Sequence, residues 1–302
     1  MSTNATNLLA CAIAAARKAG DYALANLDRR TEADAITHHD VKLKLDVECQ
    51  AVAEAVVRET FPDHEILGEE DDHTEAGSDL ETRKRNIATP PSQSDHTIPS
   101  SRFLVSRSDP VLWPMELDAC LWVIDPIDGT VNFSHGLPRW CCSIGVLQGG
   151  RPVAGAVYAP ALGVLYAATN ESDATCNGEP IRVSDTATLK EAIVMSGVDR
   201  HKDGSVPPLS VFNAIANTVQ RPRIMGVAAL DMCSVAAGQA DGYIETGIFL
   251  WDVAAAALIV QQAGGQIEII QRENGFRLQC IATNGPIHEE LKGVVLQALG
   301  RD

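Results

Sequence analysis

Residues 122–133, Trp122-Val123-Ile124-Asp125-Pro126-Ile127-Asp128-Gly129-Thr130-Val131-Asn132-Phe133, constrain this chain more than any other stretch. An apolar, strand-like run ends there in two carboxylates, a proline, a glycine and a hydroxyl. Pro126 fixes its own φ and withholds an N–H, and Gly129 permits a tight turn, so Asp125 and Asp128 can converge on one point. Two carboxylates aimed at one point repel unless a cation sits between them. The ordinary alternative is a strand followed by an Asp- and Gly-rich turn. Other acidic stretches bear on that choice.

At 302 residues the chain can bury a large core and hold one large domain or two intimately packed ones. Lys and Arg number 24 against 40 Asp and Glu, a net charge of -16. That balance argues against a nucleic-acid groove or an anionic membrane surface, both of which need clustered cations. An anionic substrate would need a metal to reverse the local field. The eight cysteines show no CxxC pair and no Cys/His ligand spacing, so they read as small buried hydrophobes of a reducing, cytoplasmic compartment. The apolar run Leu8 to Ala16 is far too short to span a bilayer and reads as part of an amphipathic first helix, Asn7 to about Leu27.

The stretch from His38 to Asp46 alternates and stops at an acid. Cys49, Val52, Ala53, Val56 and Val57 then follow at the spacing of one helix face. Asp46 is a helix N-cap or something more. His38 and His39 read as solvated loop residues, since no third ligand lies at suitable spacing. Ile66-Leu67 leads into Gly68-Glu69-Glu70-Asp71-Asp72, which is a solvated loop or a cation ligand set. Residues 71–118 then lose periodicity in a Pro/Ser-rich stretch, expected to be a mobile flap over the site. Cys141 to Leu147, Val153 to Tyr158 and Leu162 to Ala168 predict an antiparallel meander. Later come a helix near Leu209 to Thr218, a small-residue helix from Gly226 to Ala237 and a strand through Tyr243-Ile244-Glu245. From Val253 to Gln262 an apolar helix, buried on all sides, ends at Gly264-Gly265. Asp252 precedes it, as an N-cap or as a third acid for the site.

Acids therefore stand at the end of a strand or the start of a helix in three separate stretches, and the Asp-Gly-Thr turn can offer backbone N–H groups to an anion. Carboxylate and phosphate oxygens together suit Mg²⁺. Gly68-Glu69-Glu70, the run Trp122 to Phe133, Gly226-Val227-Ala228-Ala229-Leu230, Trp251-Asp252-Val253-Ala254-Ala255 and Ala263-Gly264-Gly265 resemble the inositol monophosphatase family of metal-dependent, lithium-sensitive phosphatases. The likeness covers nearly the whole chain outside residues 71–118.

The resemblance implies an α/β layered sandwich (α-β-α-β-α) of the sugar-phosphatase type. Residues 1–185 would form an N-terminal α+β part with most ligands, and residues 186–302 a C-terminal α/β part that completes the site. Glu69, Asp125, Asp128, Asp252 and the carbonyl of Ile127 would ligate two or three Mg²⁺ ions. Gly129 and Thr130 would hold the phosphate, and Ala228 and Glu245 would meet the substrate. Thr130 would orient a metal-bound water, itself held by Asp46, with Glu70 as an outer base. The family implies a homodimer acting on a small phosphorylated substrate, inositol 1-phosphate or a similar polyol phosphate first. Histidinol phosphate, fructose 1,6-bisphosphate and 3′-phosphoadenosine 5′-phosphate stand as alternatives, and a metal-binding regulatory protein without turnover as a rival class. Val131 and Val227 replace a frequent hydroxyl residue and Gln262 a frequent Glu, departures that bear on substrate fit and remove no ligand.

Overall fold

The computed structural model describes residues 4–36, 41–73, 120–197, 209–272 and 276–301. His38, His39 and nearly all of the stretch expected to form a flap lie outside them.

Helix α1 (Ala5–Ala25) starts where the Asn4 side chain accepts the N–H of Asn7 at 2.8 Å. It buries Leu8, Ala12, Ala15, Ala19 and Ala23 at helical spacing. A hairpin of β1 (Ala33–Ile36) and β2 (Val41–Leu43) leads into α2 (Lys44–Thr60). That helix begins before Asp46, so Asp46 is not its N-cap. Leu43 holds that position and has no side-chain acceptor, and Asp46 reaches back to take the Leu43 N–H at 2.9 Å.

The larger sheet runs in the order β3 (Glu65–Gly68), β4 (Cys120–Asp128), β5 (Cys141–Gln148), β6 (Arg151–Ala159), β7 (Val164–Thr169), β8 (Thr175–Cys176) and β9 (Glu179–Pro180). Only β3 and β4 pair in parallel; β5 to β7 are the meander the sequence predicts. Every residue of β4 is buried, because both of its faces are covered. Trp122 and Ile124 face a core shared with α1 and α2, whereas Leu121 and Val123 face a second core beneath the sheet.

In the smaller sheet the order is β11 (Arg221–Arg223), β10 (Ile193–Ser196), β12 (Gly242–Phe249), β14 (Arg277–Thr283) and β13 (Gln266–Arg272). Helices α4 (Ser210–Ala216) and α7 (His288–Ala298) cover its outer face, with Ile215, Leu291 and Val295 packed against Val194, Ile244 and Ile281. Truncating Leu291 to Ala would cost about 2–5 kcal/mol.

Two helices fill the space between the sheets, α5 (Ala228–Ala236) and α6 (Leu250–Gln262), giving five layers, α-β-α-β-α. Helix α6 is buried almost throughout, touching β5 and β6 on one side and β13 and β14 on the other. It lies so close to the larger sheet that a Cβ on Gly145 would stand 2.7 Å from the Cβ of Ala254. The sequence placed the start of α6 at Val253; it starts at Leu250, so Asp252 lies inside the first turn and Phe249 is the N-cap.

Candidate metal and phosphate site

The site lies where β4 ends. Asp125 faces Ser143 across the ladder and Asp128 faces Cys141, so three steps along β4 match two along β5. That extra residue is a bulge, and it falls where Pro126 has no N–H to give. The bulge aims Asp128 at the second half of the molecule: its Oδ1 and Oδ2 accept the backbone N–H groups of Ala228 at 3.2 Å and Ala229 at 2.7 Å, at the head of α5. Cys141 Sγ also donates to Asp128 Oδ2, at 3.7 Å. Asp252 comes from the first turn of α6, where its Oδ2 takes the N–H of Phe249 at 2.7 Å. One carboxylate oxygen from each of Asp125, Asp128 and Asp252 lies within 4.8 Å of the others.

Glu69 stands outside that trio but close enough for its charge and that of Asp252 to act on one another, and for it, after burial, to raise the pKa of Asp125. It sits on a 3-10 turn, Glu69–His73, that follows β3. Gln50 of α2 holds this strap in place: its Oε1 accepts the Glu70 N–H at 2.9 Å and its Nε2 donates to Asp71 Oδ1 at 2.8 Å, while Asp71 Oδ2 takes the Gly68 N–H at 2.9 Å. Lys42 Nζ lies 4.0 Å from Glu70 Oε2.

Gly129 follows Asp128 with φ +92°, a left-handed value that favours glycine, and a Cβ there would stand 2.7 Å from Val227 Cγ2. It opens the one-turn helix α3 (Thr130–Ser134). The Thr130 hydroxyl donates to the Ile127 carbonyl at 3.0 Å. That carbonyl keeps a second lone pair for another partner.

A cleft of about 230 Å³ runs from these acids; Asp128, Asp252, Val227, Ala228, Asp231, Glu245, Gly197 and Ile248 are among its walls. Glu245 accepts a hydrogen bond from the Tyr243 hydroxyl. Of the residues the sequence suggested, Asp128, Ala228, Glu245 and Asp252 thus share one cleft, and Asp125 adjoins Asp128 and Asp252 in the acid cluster.

Burial, followed by the charge of Asp252, holds the Glu69 carboxyl well above the usual carboxylate range. Burial and then Glu69 do the same to Asp125, and burial and then Asp252 to Asp128, where the N–H groups of Ala229 and Ala228 pull the other way. Asp125 Oδ1 is buried with no hydrogen-bond partner among the described residues. Crowded, desolvated carboxylates with an unused inward lone pair are what a hard divalent cation relieves, so this donor set fits Mg²⁺.

Sequence reading missed two contributors. Gln50 is the strap's anchor, and the only hint was a polar stripe of Asp46, Gln50 and Glu54 at i, i+4 spacing beside the apolar face. Arg139, just before β5, pairs with Asp231 of α5 at 2.7 Å across a separation of 92 residues, and no local pattern announces that.

Inositol-1-monophosphatase of Synechocystis is 40% identical to this chain over 179 residues, which span 56% of this chain and 60% of that protein. The fructose-1,6-bisphosphatase/inositol-1-monophosphatase of Thermotoga maritima is 39% identical over 177 residues, 58% of this chain and 67% of that protein. Nus factor SuhB of Haemophilus influenzae is 31% identical over 98% of both chains. The solved structure of inositol monophosphatase from Anabaena superposes with a TM-score of 0.73 at 29% identity, over 97% of this chain and 96% of that one. Layered fold, buried acid cluster and relatives together define a phosphoric monoester hydrolase. The sequence profile of the inositol monophosphatase family matches residues 4–300, and the chain belongs to that family.

Proposed function

We propose that this protein is a Mg²⁺-dependent phosphomonoesterase that hydrolyses inositol monophosphate or a similar polyol phosphate. The observation that carries the reading is the convergence of Asp125, Asp128 and Asp252 within 4.8 Å at the end of a cleft. Glu69, Asp125, Asp128, Asp252 and the Ile127 carbonyl would hold two or three ions. Magnesium, when bound, supplies Lewis-acid charge for the phosphate and the leaving oxygen and acidifies water at neutral pH.

The chain's own groups do the rest. Gly129 and the N–H groups at the head of α3 receive the phosphate, and the Thr130 hydroxyl, turned from the Ile127 carbonyl to Asp46, orients the attacking water. Glu70, buried and within ion-pair reach of Lys42, acts as the outer proton acceptor. Ala228 and Glu245 line the path of the leaving alcohol. No helix among the described residues is long and apolar enough to cross a membrane. We also propose that the protein is a cytoplasmic homodimer, with the chain divided near residue 185, the larger sheet on one side and the smaller on the other.

A panel of phosphate monoesters assayed with and without Mg²⁺ tests the reading. Polyol phosphates are expected to turn over only with the metal, and Asp125→Asn to abolish turnover in a folded protein. Retained turnover in that variant would remove Asp125 from the site, and no turnover on any ester would favour a metal-binding regulatory role.

A further inference from the structure

Helix α5 carries an acid where a buried helix would more cheaply carry an aliphatic residue. Asp231 is only 2% exposed. Burying a carboxylate is unfavourable unless it is paired, and a well-packed apolar residue is often as stable as the pair. Its Oδ1 is met by Arg139 Nη2 at 2.7 Å, and the same nitrogen reaches Ser234 Oγ at 3.3 Å. The pair ties the larger sheet to α5, but Asp231 also lines the cleft, together with Val227, Ile248 and Glu245.

A carboxylate has about four lone-pair sites, so the bond to Arg139 leaves Asp231 with acceptor capacity. Its charge is already matched by the guanidinium. It therefore offers the cleft a fixed acceptor rather than a counter-ion. Glu245 is a second held acceptor in the cleft: it receives the neutral Tyr243 hydroxyl, and its carboxylate occupies the space where a Cβ on Gly197 would stand. A cleft of about 230 Å³ is smaller than the sites that take drug-sized ligands, about 300–1,000 Å³, so a compact leaving group is called for.

We infer that Asp231, oriented by Arg139, is a specificity-determining residue that accepts a hydrogen bond from a hydroxyl of the leaving alcohol. Resting on the phosphatase reading above, this selects polyhydroxy leaving groups over leaving groups without hydroxyl donors and over ammonium-bearing ones. Asp231 reads the leaving group and Arg139 is a positioning residue that acts through it. A site with an acceptor prepared for a hydroxyl rejects the analogue lacking that hydroxyl, since the buried acceptor is then left unpaired.

The test compares inositol 1-phosphate, an amino-alcohol phosphate and p-nitrophenyl phosphate with wild type, Asp231→Asn and Arg139→Gln, each with saturating Mg²⁺ and each checked for folding by circular dichroism. Wild type is expected to favour the polyol ester over the other two. In Asp231→Asn the ratio of kcat/KM for the polyol ester to that for the aryl ester should fall at least tenfold, mostly through KM, and Arg139→Gln should move the ratio the same way. An unchanged ratio in Asp231→Asn, equal losses on both esters, or a wild-type preference for the amino-alcohol phosphate would overturn the inference and leave the phosphatase reading standing. Absence of turnover on every ester in wild type would instead strike the phosphatase reading, and this inference with it.

Discussion

Asp128 and Ala229 stand 101 residues apart in the chain and are joined by a 2.7 Å hydrogen bond from the Ala229 N–H to the Asp128 carboxylate. A candidate ligand at the end of one sheet thereby caps a helix that packs between both sheets. The same carboxylate serves the fold and, in the proposed site, the cation, and the two roles can be separated by experiment.

Asp128→Ala removes the cap from α5, a loss of about 0.5–2 kcal/mol, partly offset because a crowded carboxylate is also removed. The variant is expected to melt close to wild type without metal. Saturating Mg²⁺ should raise the melting temperature of wild type, by about 2.7 kcal/mol of added stability at a hundredfold excess over Kd, and raise that of the variant little. Equal metal-induced shifts in calorimetry would take Asp128 out of the metal site.

Gln50→Ala should loosen the strap carrying Glu69 without touching any ligand. Losing the bond from the buried Glu70 N–H costs about 1–3 kcal/mol, and the bond to half-buried Asp71 is lost with it. Mg²⁺ affinity measured by titration calorimetry is expected to fall roughly tenfold or more, the equivalent of about 1.4 kcal/mol. An unchanged affinity would make Gln50 a packing residue only.

Thr130→Ala should lower kcat strongly with little change in KM, the mark of an interaction made mainly in the transition state. Asp46→Asn should do the same more weakly, and the double variant should lose less than the sum if Asp46 acts through Thr130. Steady-state kinetics on the four proteins decides between this and two independent roles, which would add.

His64 gives a pH dependence remote from the site. Its Nδ1 accepts the Trp122 indole N–H at 3.0 Å and its ring stacks on Phe61 at 4.7 Å. Burial lowers its pKa below the ordinary 6.5. The unfolded chain therefore binds the proton more readily, and the stability His64 contributes is complete above pH 6.5 and is lost as pH falls through its folded value. Melting temperatures of wild type and His64→Phe should differ most at neutral pH and converge toward pH ~5, below the ordinary histidine range. A constant difference would show that His64 does not titrate in this window.

Much of this molecule is legible from residue order. The apolar run of β4 reads as a strand ending at a site, and the all-apolar stretch after Asp252 reads as a helix with no solvent face; both follow from the pattern of apolar residues, whereas the covering of both faces of β4 appears only in the fold. Asp46 and Asp252 were legible as helix-start acids but not in their true positions. Leu43 and Phe249 cannot cap with their own side chains, so the acid three residues on supplies the acceptor, and that substitution of roles shows only in the folded backbone. The Gln50 and Arg139 contacts were not legible, since each joins segments that come together only after the layers have packed.

Helix α6 meets the larger sheet through Ala254 and Ala255, whose side chains are single methyl groups. The approach of α6 to the larger sheet is therefore gauged by the smallest side chains that can still hold a helix. An added methylene or two at Ala254, as in Ala254→Val, would act as a shim and tilt the helix that presents Asp252. The placement of the acid cluster is thus set partly by methyl groups well inside the protein and out of sight of the cleft.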